Sequence, residues 1–581
     1  MKYLPTLSII SLAVRPTRTE TVSVIGPHQV FLRVLAVSLA LAGTAATAVS
    51  PNSVLTPDQS TSRFLAQATF GPTTETIAEA RPFADNFAAW IDRENAKPVT
   101  LAVPLLTAAQ LTAPVAKADN RKARNQVMLT ASDQLRQRVA YALSQIMVIS
   151  DADTNVSNGL EGSSSYYDML ARNALGNFRT LMMDVTRHPM MGRYLSHYKN
   201  RKASTTDGAR PDENYAREVM QLFTIGLFVL NPNSTVQTDG TGRQIETYTN
   251  DDITEFARVF TGFTDESTNN TGTGTGRADF PSASANFTAP MRMWEPQHDA
   301  RAKTLLRYAG ARKPILPANQ TGLQDVSDTI DNLIEHPSCA PFISRQLIQR
   351  LVTSNPSDAY VGRVAAVFVN NGSGVRGDLL AVVKAILLDS EARSAASITD
   401  ARFGKLREPF LRVTQLLRAF RFTLASTAPL SHDFGSTITE GTIGQFPLGA
   451  PSVFNFYSPE FQPPGPISKA GLTGPEFQIL NSVFAVTTPN AVNTLIQTGA
   501  GQFRLNIAEQ ETLAATPAAL MDNLNLLLTH GTMSAETRST ILTAVQNVTT
   551  AMVPNGSNLN QTRARLAIYL VALSPDFAIL K

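Results

Sequence analysis

The sequence predicts a mainly α-helical fold, a single large multi-helical domain with long irregular loops and at most minor β-structure. Apolar residues recur with helical spacing from about residue 60 to the C-terminus, whereas no convincing run of alternating polar and apolar residues predicts strands. The 581 residues are 43% hydrophobic and 17% charged, so the chain can bury a large core.

The predicted helices follow one another along this domain. Start signals support several of them: Thr249 lies three residues before Asp252, as in a capping box, and Pro337 precedes a new apolar period. The predicted spans are residues 60–69, 74–81, 86–95, 106–113, 119–149, 163–173, 176–187, 189–197, 212–226, 250–262, 322–335, 339–353, 356–370, 376–388, 402–424, 473–484, 487–499, 508–511, 516–527, 534–547 and 559–573.

The N-terminal residues have the pattern of a secretory signal peptide. Basic residues precede an apolar run from Phe31 to Ala42, and an Ala-x-Ala sequence ends at Ala48. The run is too short to span a bilayer comfortably, which favours a cleaved signal over an uncleaved anchor. We therefore expect an exported protein in the periplasm, on the outer surface or outside the cell. The expected segments are a signal at 1–48, a Pro/Ser/Thr-rich connector at 49–61 and the helical domain at 62–581.

The formal net charge of +3 belongs to the N-terminal segment. Beyond residue 48 the chain has 46 basic and 46 acidic residues, because the segment holds Lys2, Arg15, Arg18, Arg33 and Glu20. Nucleic acids and anionic membranes are bound through a clustered basic excess, which this bulk balance lacks. The composition thus argues against a nucleic-acid partner and favours a neutral polymer or a small molecule.

Cys339 is the single cysteine of the sequence, which excludes an intrachain disulfide and a thiolate zinc cluster. Its apolar neighbours predict a buried, inert thiol near the start of a helix. No metal site is predicted, and the sequence identifies no cofactor. The local signatures of serine hydrolases, nucleotide-binding loops and zinc proteases are missing from the sequence.

Two long segments are predicted to be irregular. Residues 264–290 are rich in Thr, Asn, Gly and Ser, and residues 443–472 contain prolines and aromatics too densely for a helix. Long ordered loops inside a compact domain often carry function. The aromatic residues of the second segment, named the Pro/aromatic loop below, indicate that it packs against the domain.

The segment 212–226 predicts a helix with an unusual polar face. A face that serves only solubility more naturally uses Lys and Glu, whereas this face sets amides and a guanidinium among carboxylates, which suits directed hydrogen bonds. A structural network, a ligand or catalytic site, and a solvated face all fit this spacing. At 100° per residue, roughly 140° of the helix surface is occupied by Glu213, Asn214, Arg217, Glu218, Gln221 and Thr224.

Several blocks of the chain resemble, in the same order, the bacterial family called domain of unknown function 1800. The resemblance covers about residue 60 to the end and implies an exported, mostly helical protein. It also implies a co-encoded exported partner from a family related to sulfatases and phosphatases, and it supplies no activity. This chain departs from the commoner pattern at 135–145, where that pattern has a Trp/His-rich stretch. The matching blocks are 63–72, 188–191, 213–226, 256–262, 298–299 with Lys303, 341–347, 377–379, 407–409 and 574–577.

Candidate catalytic residues lie in the 212–226 motif and near residue 298. His298 is the best candidate for a general acid or base, although a structural histidine also fits. Glu213 and Glu218 are the other candidates if one carboxyl is shielded and the other is paired with Arg217. The candidate substrate-binding residues are Asn214, Arg217, Gln221, Arg258, Asp299 and Lys303.

Two functions stay open from the sequence. One is an envelope or extracellular enzyme, a hydrolase or lyase acting on a polysaccharide or other polymer, with Glu213, Glu218 and His298 as acid/base groups and Arg217 as a clamp. The other is a non-catalytic binding or maturation partner of another exported protein. We expect the motif helix, the 250–262 helix, His298 and the Pro/aromatic loop to converge around a polar pocket.

Overall fold

The computed structural model of the protein describes residues 55–110, 116–159, 161–266, 280–281 and 286–581. Many of its helices begin with a side chain that accepts a hydrogen bond from a backbone N–H of the first turn. The Thr56 hydroxyl accepts the backbone N–H of Gln59, and the Thr249 hydroxyl accepts that of Asp252, as the capping box at Thr249 predicted. The predicted signal peptide and residues 267–279 and 282–285 of the Thr/Gly-rich segment lie outside the described residues.

The helices confirm the predicted fold class. Short 3-10 helices cover Arg81–Phe83, Glu295–Gln297, Pro475–Gln478 and Thr550–Met552. The α-helices of the described residues are Pro57–Ala68, Thr74–Ala80, Phe87–Asn95, Val103–Gln110, Lys117–Thr130, Gln134–Ser144, Thr154–Ser157, Gly162–Asn173, Phe178–Arg187, Pro189–Tyr194, Asn214–Gln221, Asn250–Val259, Gly322–Glu335, Cys339–Leu351, Asp358–Val369, Leu379–Leu388, Ser390–Arg393, Ala395–Thr399, Pro409–Ala419, Glu440–Ile443, Pro466–Lys469, Phe484–Gln497, Ala508–Leu513, Pro517–Leu527, Ala535–Gln546, Leu559–Leu573 and Pro575–Ala578.

The β-structure of the described residues is limited to short antiparallel pairs and isolated bridges, as the minor β-content predicted. Three isolated bridges, Phe228 with Glu246, Leu230 with Val236 and Thr238 with Gln244, fold residues 227–247 back on themselves. The strand pairs are Phe263–Thr264 with Arg292–Met293, Lys303–Thr304 with Ile315–Leu316, Lys405–Leu406 with Ile579–Leu580, and Thr423–Leu424 with Phe503–Arg504.

The predicted 119–149 helix is divided in two. Lys117–Thr130 ends because Ala131 adopts an extended ψ of 141°, and a second helix begins at Gln134. The buried carboxylate of Asp133 accepts the backbone N–H of Thr100 and the side chain of Gln137, both at 3.1 Å. A tertiary contact therefore fixes this break, which the apolar periodicity does not show.

Other boundaries also differ from expectation; the expected 402–424 helix, for example, covers only Pro409–Ala419. The first described helix begins at Pro57, inside the segment expected to be a connector, because proline suits the first helical position. The expected 473–484 helix contains only the 3-10 turn Pro475–Gln478, and the α-helix that follows begins at Phe484.

One apolar core joins the described helices from both halves of the chain. The described residues from 55 to 581 form one compact unit. Helix Cys339–Leu351 packs against Asp358–Val369, and the motif helix Asn214–Gln221 packs against Asn250–Val259. The core thus holds the motif helix next to its neighbours.

None of the described helices has the length and apolar character needed to cross a membrane.

Candidate functional site

The 212–226 motif forms the helix Asn214–Gln221 followed by a tight turn. Asp212 Oδ1 accepts the N–H of Asn214 at 2.9 Å at the start of the helix. After Gln221 the chain leaves the helix, and Gly226 adopts a φ of +76°. A Cβ at Gly226 would lie 2.8 Å from the Phe342 ring, so glycine permits both the left-handed backbone and the close packing.

The apolar side of the motif helix is buried as predicted. Tyr215, Val219, Met220 and Phe223 are at most 1% exposed. Thr224, which was expected on the polar face, is also buried, and its hydroxyl donates to the backbone carbonyl of Val219. The turn after Gln221 explains this difference, because helical spacing no longer applies there.

Glu218 is the shielded residue of the polar face. Its side chain is almost fully buried, and its Oε2 has no hydrogen-bond partner among the described residues. Burial raises the pKa of Glu218 to about 7, and the charge of Arg217 opposes this shift. Burial also raises the pKa of Tyr248 to about 12, and the Glu218 carboxylate adds to that shift. A carboxyl group that changes charge near neutral pH is suited to acid/base chemistry.

Glu213 lies in a more polar environment than Glu218. Its Oε1 accepts the Thr254 hydroxyl at 3.0 Å, and its Oε2 is 3.7 Å from the Arg217 guanidinium. Both side chains of this ion pair are more than 40% exposed, so the pair adds little stability. Asn214 is exposed. Burial thus shields the Glu218 carboxyl, whereas the Glu213 carboxyl lies beside Arg217. Separate acid and base roles require such a difference in environment.

His298 lies in a buried network of charged side chains. Its Nδ1 is 3.0 Å from the carbonyl of Thr261, and its Nε2 is 3.0 Å from Asp325 Oδ2. Lys303 Nζ lies 2.5 Å from the same Asp325 oxygen, and the three side chains are each 1% exposed. Both ring nitrogens of His298 are therefore engaged inside the protein.

The network continues through Asp299 and Arg258. Arg258 Nε donates to Asp299 Oδ2 at 3.0 Å, and the same guanidinium contacts Glu255 at 2.7 Å. Burial opposes ionisation of Asp299, but hydrogen bonds from Arg301 and Arg258 lower its pKa below the ordinary value. Arg258 and Asp299 thus tie helix Asn250–Val259 to residues 298–303, and this helix also carries Thr254, the partner of Glu213.

A pocket of about 470 Å³ lies where the turn after the motif helix meets the 227–247 segment, helix Cys339–Leu351 and the Pro/aromatic loop. Of the predicted site residues, Gln221 lines it. The apolar lining includes Phe454 and Leu227, which are 56% and 47% exposed at its rim. The motif and the Pro/aromatic loop therefore converge on a pocket, whereas His298 belongs to a separate buried network. The remaining apolar lining residues are Ile146, Leu222, Phe228, Leu230, Val236, Phe342, Val453 and Pro459.

The pocket wall also carries buried polar atoms without partners. The residues concerned are at most 7% exposed. Buried polar groups are normally hydrogen-bonded, so this group of unpaired atoms is unusual. The atoms are closed to solvent behind the pocket surface, and they are Gln145 Oε1, Gln346 Nε2, Gln349 Oε1, Arg350 Nε, Asn455 Nδ2 and the Tyr457 hydroxyl.

A buried charge network supports this wall. Glu408 accepts hydrogen bonds from Gln145, from the Tyr141 hydroxyl at 2.7 Å and from the Gln445 amide at 2.5 Å. Burial opposes ionisation of Glu408, but the charges of Lys405 and Arg138 lower its pKa below the ordinary value. Lys405 Nζ also donates to the carbonyl of Arg350 at 2.9 Å. An ionised Glu408 thus holds the Gln145 amide in one orientation.

Most residues of the polar wall were not among the sequence candidates. Gln349 and Arg350 lie three and four residues after Gln346 within an apolar helix, and this polar interruption of a buried face was a usable signal. Gln145 ends the 135–145 block in which the chain departs from the commoner family pattern. Asn455 belongs to the Pro/aromatic loop, which the sequence did single out.

Cys339 and His188 have structural surroundings. Cys339 is buried as predicted, and burial raises the pKa of its thiol to about 12, which disfavours the reactive thiolate. His188 joins two helices and caps the second by accepting the N–H of Met190. Among the described residues, no cluster of three or more His, Cys, Asp or Glu side chains could hold a metal ion.

The fold and the site define a mainly α-helical protein with an amphipathic pocket beside a buried charge network. The family model described as Protein of unknown function (DUF1800) matches residues 63–579, nearly the whole chain, and the protein belongs to this family. Comparisons with curated proteins and with solved structures returned no match.

Proposed function

We propose that this protein binds a neutral, partly apolar ligand in the pocket, either a segment of a polymer or a small molecule. The observation that carries the proposal is a pocket of about 470 Å³ in which a wall of amide and guanidinium side chains continues into an exposed apolar rim. The equal numbers of basic and acidic residues beyond residue 48 favour a neutral ligand over an ionic one.

The binding proposal is tested with Nile red, a neutral apolar dye. Leu227→Trp places an indole at the pocket rim, whereas Val486→Trp places one at an exposed apolar position outside the pocket lining. We expect Leu227→Trp to weaken dye binding at least tenfold and Val486→Trp to leave it unchanged in a fluorescence titration. Equal dye affinity in the two variants would contradict a ligand site in this pocket.

The environment of Glu218 favours a second candidate, an enzyme that cleaves a neutral polysaccharide or other polymer. The hydroxyl of Tyr248, next to Glu218, donates to Gln221 Oε1 at 3.1 Å, and Gln221 lines the pocket. Glu218 would serve as the acid or base, and Arg217 beside Glu213 would hold substrate. In this proposal His298 has only a structural role, because both of its ring nitrogens are in hydrogen-bonding contact inside the protein.

The enzymatic proposal is tested by release of new reducing ends from a panel of neutral polysaccharides. We expect activity in the wild type, a loss of at least about 100-fold in Glu218→Gln, and a smaller loss in the matched variant Glu213→Gln. Wild-type release of reducing ends by Glu218→Gln would show that Glu218 is not the acid or base.

We also propose that the protein is exported and works beside a co-encoded exported protein of the sulfatase/phosphatase-like kind. The signal-like pattern that ends at Ala48 and the family resemblance support this proposal. Fractionation of the producing cells, followed by N-terminal sequencing, should find a chain that begins at Val49 outside the cytoplasm. A full-length chain confined to the cytoplasm would contradict export.

A further inference from the structure

We infer that Asn555 is a site of spontaneous deamidation, at which the side-chain amide is lost as ammonia and an aspartyl or isoaspartyl residue is formed. The reaction needs an asparagine followed by a residue whose backbone nitrogen is unshielded, and glycine suits it because it has no side chain. This inference goes beyond the proposed binding function, because the turn that holds Asn555 lies outside the pocket lining.

The reaction needs water alone as co-reactant. The backbone nitrogen of Gly556 gives up its proton to solvent and attacks the side-chain carbonyl carbon of Asn555. The bond from that carbon to the amide nitrogen breaks, and ammonia leaves with a proton returned by solvent. Water then opens the cyclic imide. Attack at the backbone carbonyl gives isoaspartate, and attack at the side-chain carbonyl gives aspartate.

The sequence has three Asn-Gly pairs, which begin at Asn158, Asn371 and Asn555. The reacting atoms are the same in each pair, so the fold decides which pair reacts. The reaction is favoured by a glycine N–H without a hydrogen-bond acceptor and by an asparagine side chain that is free to turn toward the glycine nitrogen. Exposed loop tips are the places where a backbone of this kind is found.

The pair at Asn555 meets both conditions. Asn555 and Gly556 are the central residues of an exposed turn before helix Leu559–Leu573, and the turn is closed by a hydrogen bond from Ser557 N–H to the carbonyl of Pro554 at 3.1 Å. Among the described residues, neither the Gly556 N–H nor the Asn555 side chain has a hydrogen-bond partner. Apart from its chain neighbours, no heavy atom lies within 4 Å of a Cβ built at Gly556. The nucleophile and the amide carbon are therefore both accessible.

The pair at Asn371 is held away from reaction. Asn371 Nδ2 donates to Asp378 Oδ2 at 2.7 Å, and Asn371 Oδ1 accepts the N–H of Ser373 at 2.9 Å. The Gly372 N–H donates to Asn370 Oδ1 at 2.9 Å. Both the amide and the nucleophile must give up hydrogen bonds before they can meet.

The pair at Asn158 is protected at its glycine. The Gly159 N–H donates to the carbonyl of Val156 at 3.0 Å, and Gly159 is buried. The ring of Phe287 lies 2.8 Å from a Cβ built at Gly159, so it covers this stretch of backbone. Reaction here requires local opening, which is rare for a buried, hydrogen-bonded N–H.

Peptide mapping of the full chain by mass spectrometry, after several weeks in mildly alkaline buffer, tests the inference. Digestion in water enriched in heavy oxygen marks any product formed during handling. We expect deamidation at Asn555 to be at least about tenfold faster than at Asn158 or Asn371, because only Asn555 reacts without local opening. No deamidation at Asn555, or an equal rate at either of the other two asparagines, would overturn the inference.

The same incubation in guanidinium chloride removes the protection that the fold provides. We expect all three asparagines to react at similar rates in the unfolded chain, and Asn555 to react at nearly the same rate folded and unfolded. A folded chain in which Asn555 reacts at least about tenfold more slowly than in the unfolded chain would show that the turn protects it, and the inference would fail.

A matched pair of variants assigns the product to one residue. Asn555→Gln lengthens the side chain and so disfavours ring closure, and Asn158→Gln makes the same change at another exposed asparagine before a glycine. On denaturing isoelectric focusing, the main acidic form should accumulate in the wild type and in Asn158→Gln, and not in Asn555→Gln. Its accumulation in Asn555→Gln at the wild-type rate would contradict the assignment to Asn555.

Discussion

At the residue scale, Glu218 combines burial, an unpaired oxygen and a pKa near neutrality in one carboxyl group. Such a group costs stability when it is charged, and proteins retain costly groups of this kind mainly at functional sites. The sequence placed Glu218 and Glu213 on one helix face, but it did not show which of them is shielded. That distinction depends on the neighbours of each residue, Tyr248 for Glu218 and Thr254 for Glu213.

The pH dependence of stability tests the burial of Glu218. Folding raises its pKa from 4.5 to about 7, so the unfolded chain releases this proton at lower pH than the folded chain. The free energy of unfolding therefore falls as pH rises from about 4.5 to about 7, and above pH 7 the loss is complete. After allowance for solvent screening, we expect Glu218→Gln to be roughly 2 kcal/mol more stable than wild type at pH 8, with no gain at pH 4.

Urea denaturation of both proteins at pH 4 and pH 8 measures this difference. Glu213→Gln is the control, because Glu213 is half-exposed and should show a small effect at both pH values. A Glu218→Gln protein that is less stable than wild type at pH 8 would mean that the anion has a stabilising partner.

Asp325 tests the structural role of the network around His298. Asp325→Asn leaves the buried Lys303 without its carboxylate, so we expect a loss of about 3–5 kcal/mol in the free energy of unfolding. Asp331→Asn, on the same helix, breaks an ion pair with Arg179 that is about 40% exposed and should cost at most about 1 kcal/mol. Denaturant melts of the two variants should differ accordingly. A loss of stability in Asp325→Asn no larger than that in Asp331→Asn would favour a functional role for this cluster over a structural one.

At the element scale, apolar periodicity located most helices and failed where tertiary contacts decide. Gly322–Glu335 and Leu559–Leu573 coincide with their predicted spans. The break before Gln134 depends on the contact of Asp133 with Thr100, which is distant in sequence. The polar wall escaped prediction for the same reason, since Gln145, Gln349 and Asn455 meet only through packing. The composition of the Pro/aromatic loop was a local signal that pointed to the pocket, and the polar residues that interrupt the apolar helix Cys339–Leu351 were another.

Gly226 links the end of the motif helix to the shape of the pocket. Gly226→Ala introduces left-handed strain, and its Cβ also meets the ring of Phe342, which lines the pocket. Gly242→Ala is the matched control, because Gly242 has a φ of +85° and no heavy atom within 4 Å of an added Cβ. We expect Gly242→Ala to cost about 1 kcal/mol of stability and Gly226→Ala about 1–3 kcal/mol more.

Only Gly226→Ala should also weaken Nile red binding, since only this substitution displaces Phe342. Denaturation and dye titration of both variants separate the two effects. Equal stability of the two variants would show that the ring of Phe342 moves away without cost.

At the scale of the whole molecule, one core holds the motif helix, the charge networks and the pocket in one domain. A domain with a ready pocket can act alone on a polymer, or it can present its ligand to a partner. The two alternatives differ in what the proposed co-encoded partner does when this protein is absent. Both alternatives fit the geometry of this chain, and an experiment in the producing cell distinguishes them.

Separate deletions of this gene and of the gene for the proposed exported partner, followed by comparison of extracellular polymers, distinguish the alternatives. If the protein is a maturation or binding partner, the two deletions should cause the same change, because the neighbour then depends on this chain. If the protein is an enzyme, the changes should differ, and Glu218→Gln should fail to restore the wild-type polymers. In both cases Leu227→Trp should fail to complement while Val486→Trp restores function, because the pocket is needed in either role. Complementation by Leu227→Trp at wild-type level would show that the biological function does not need the pocket.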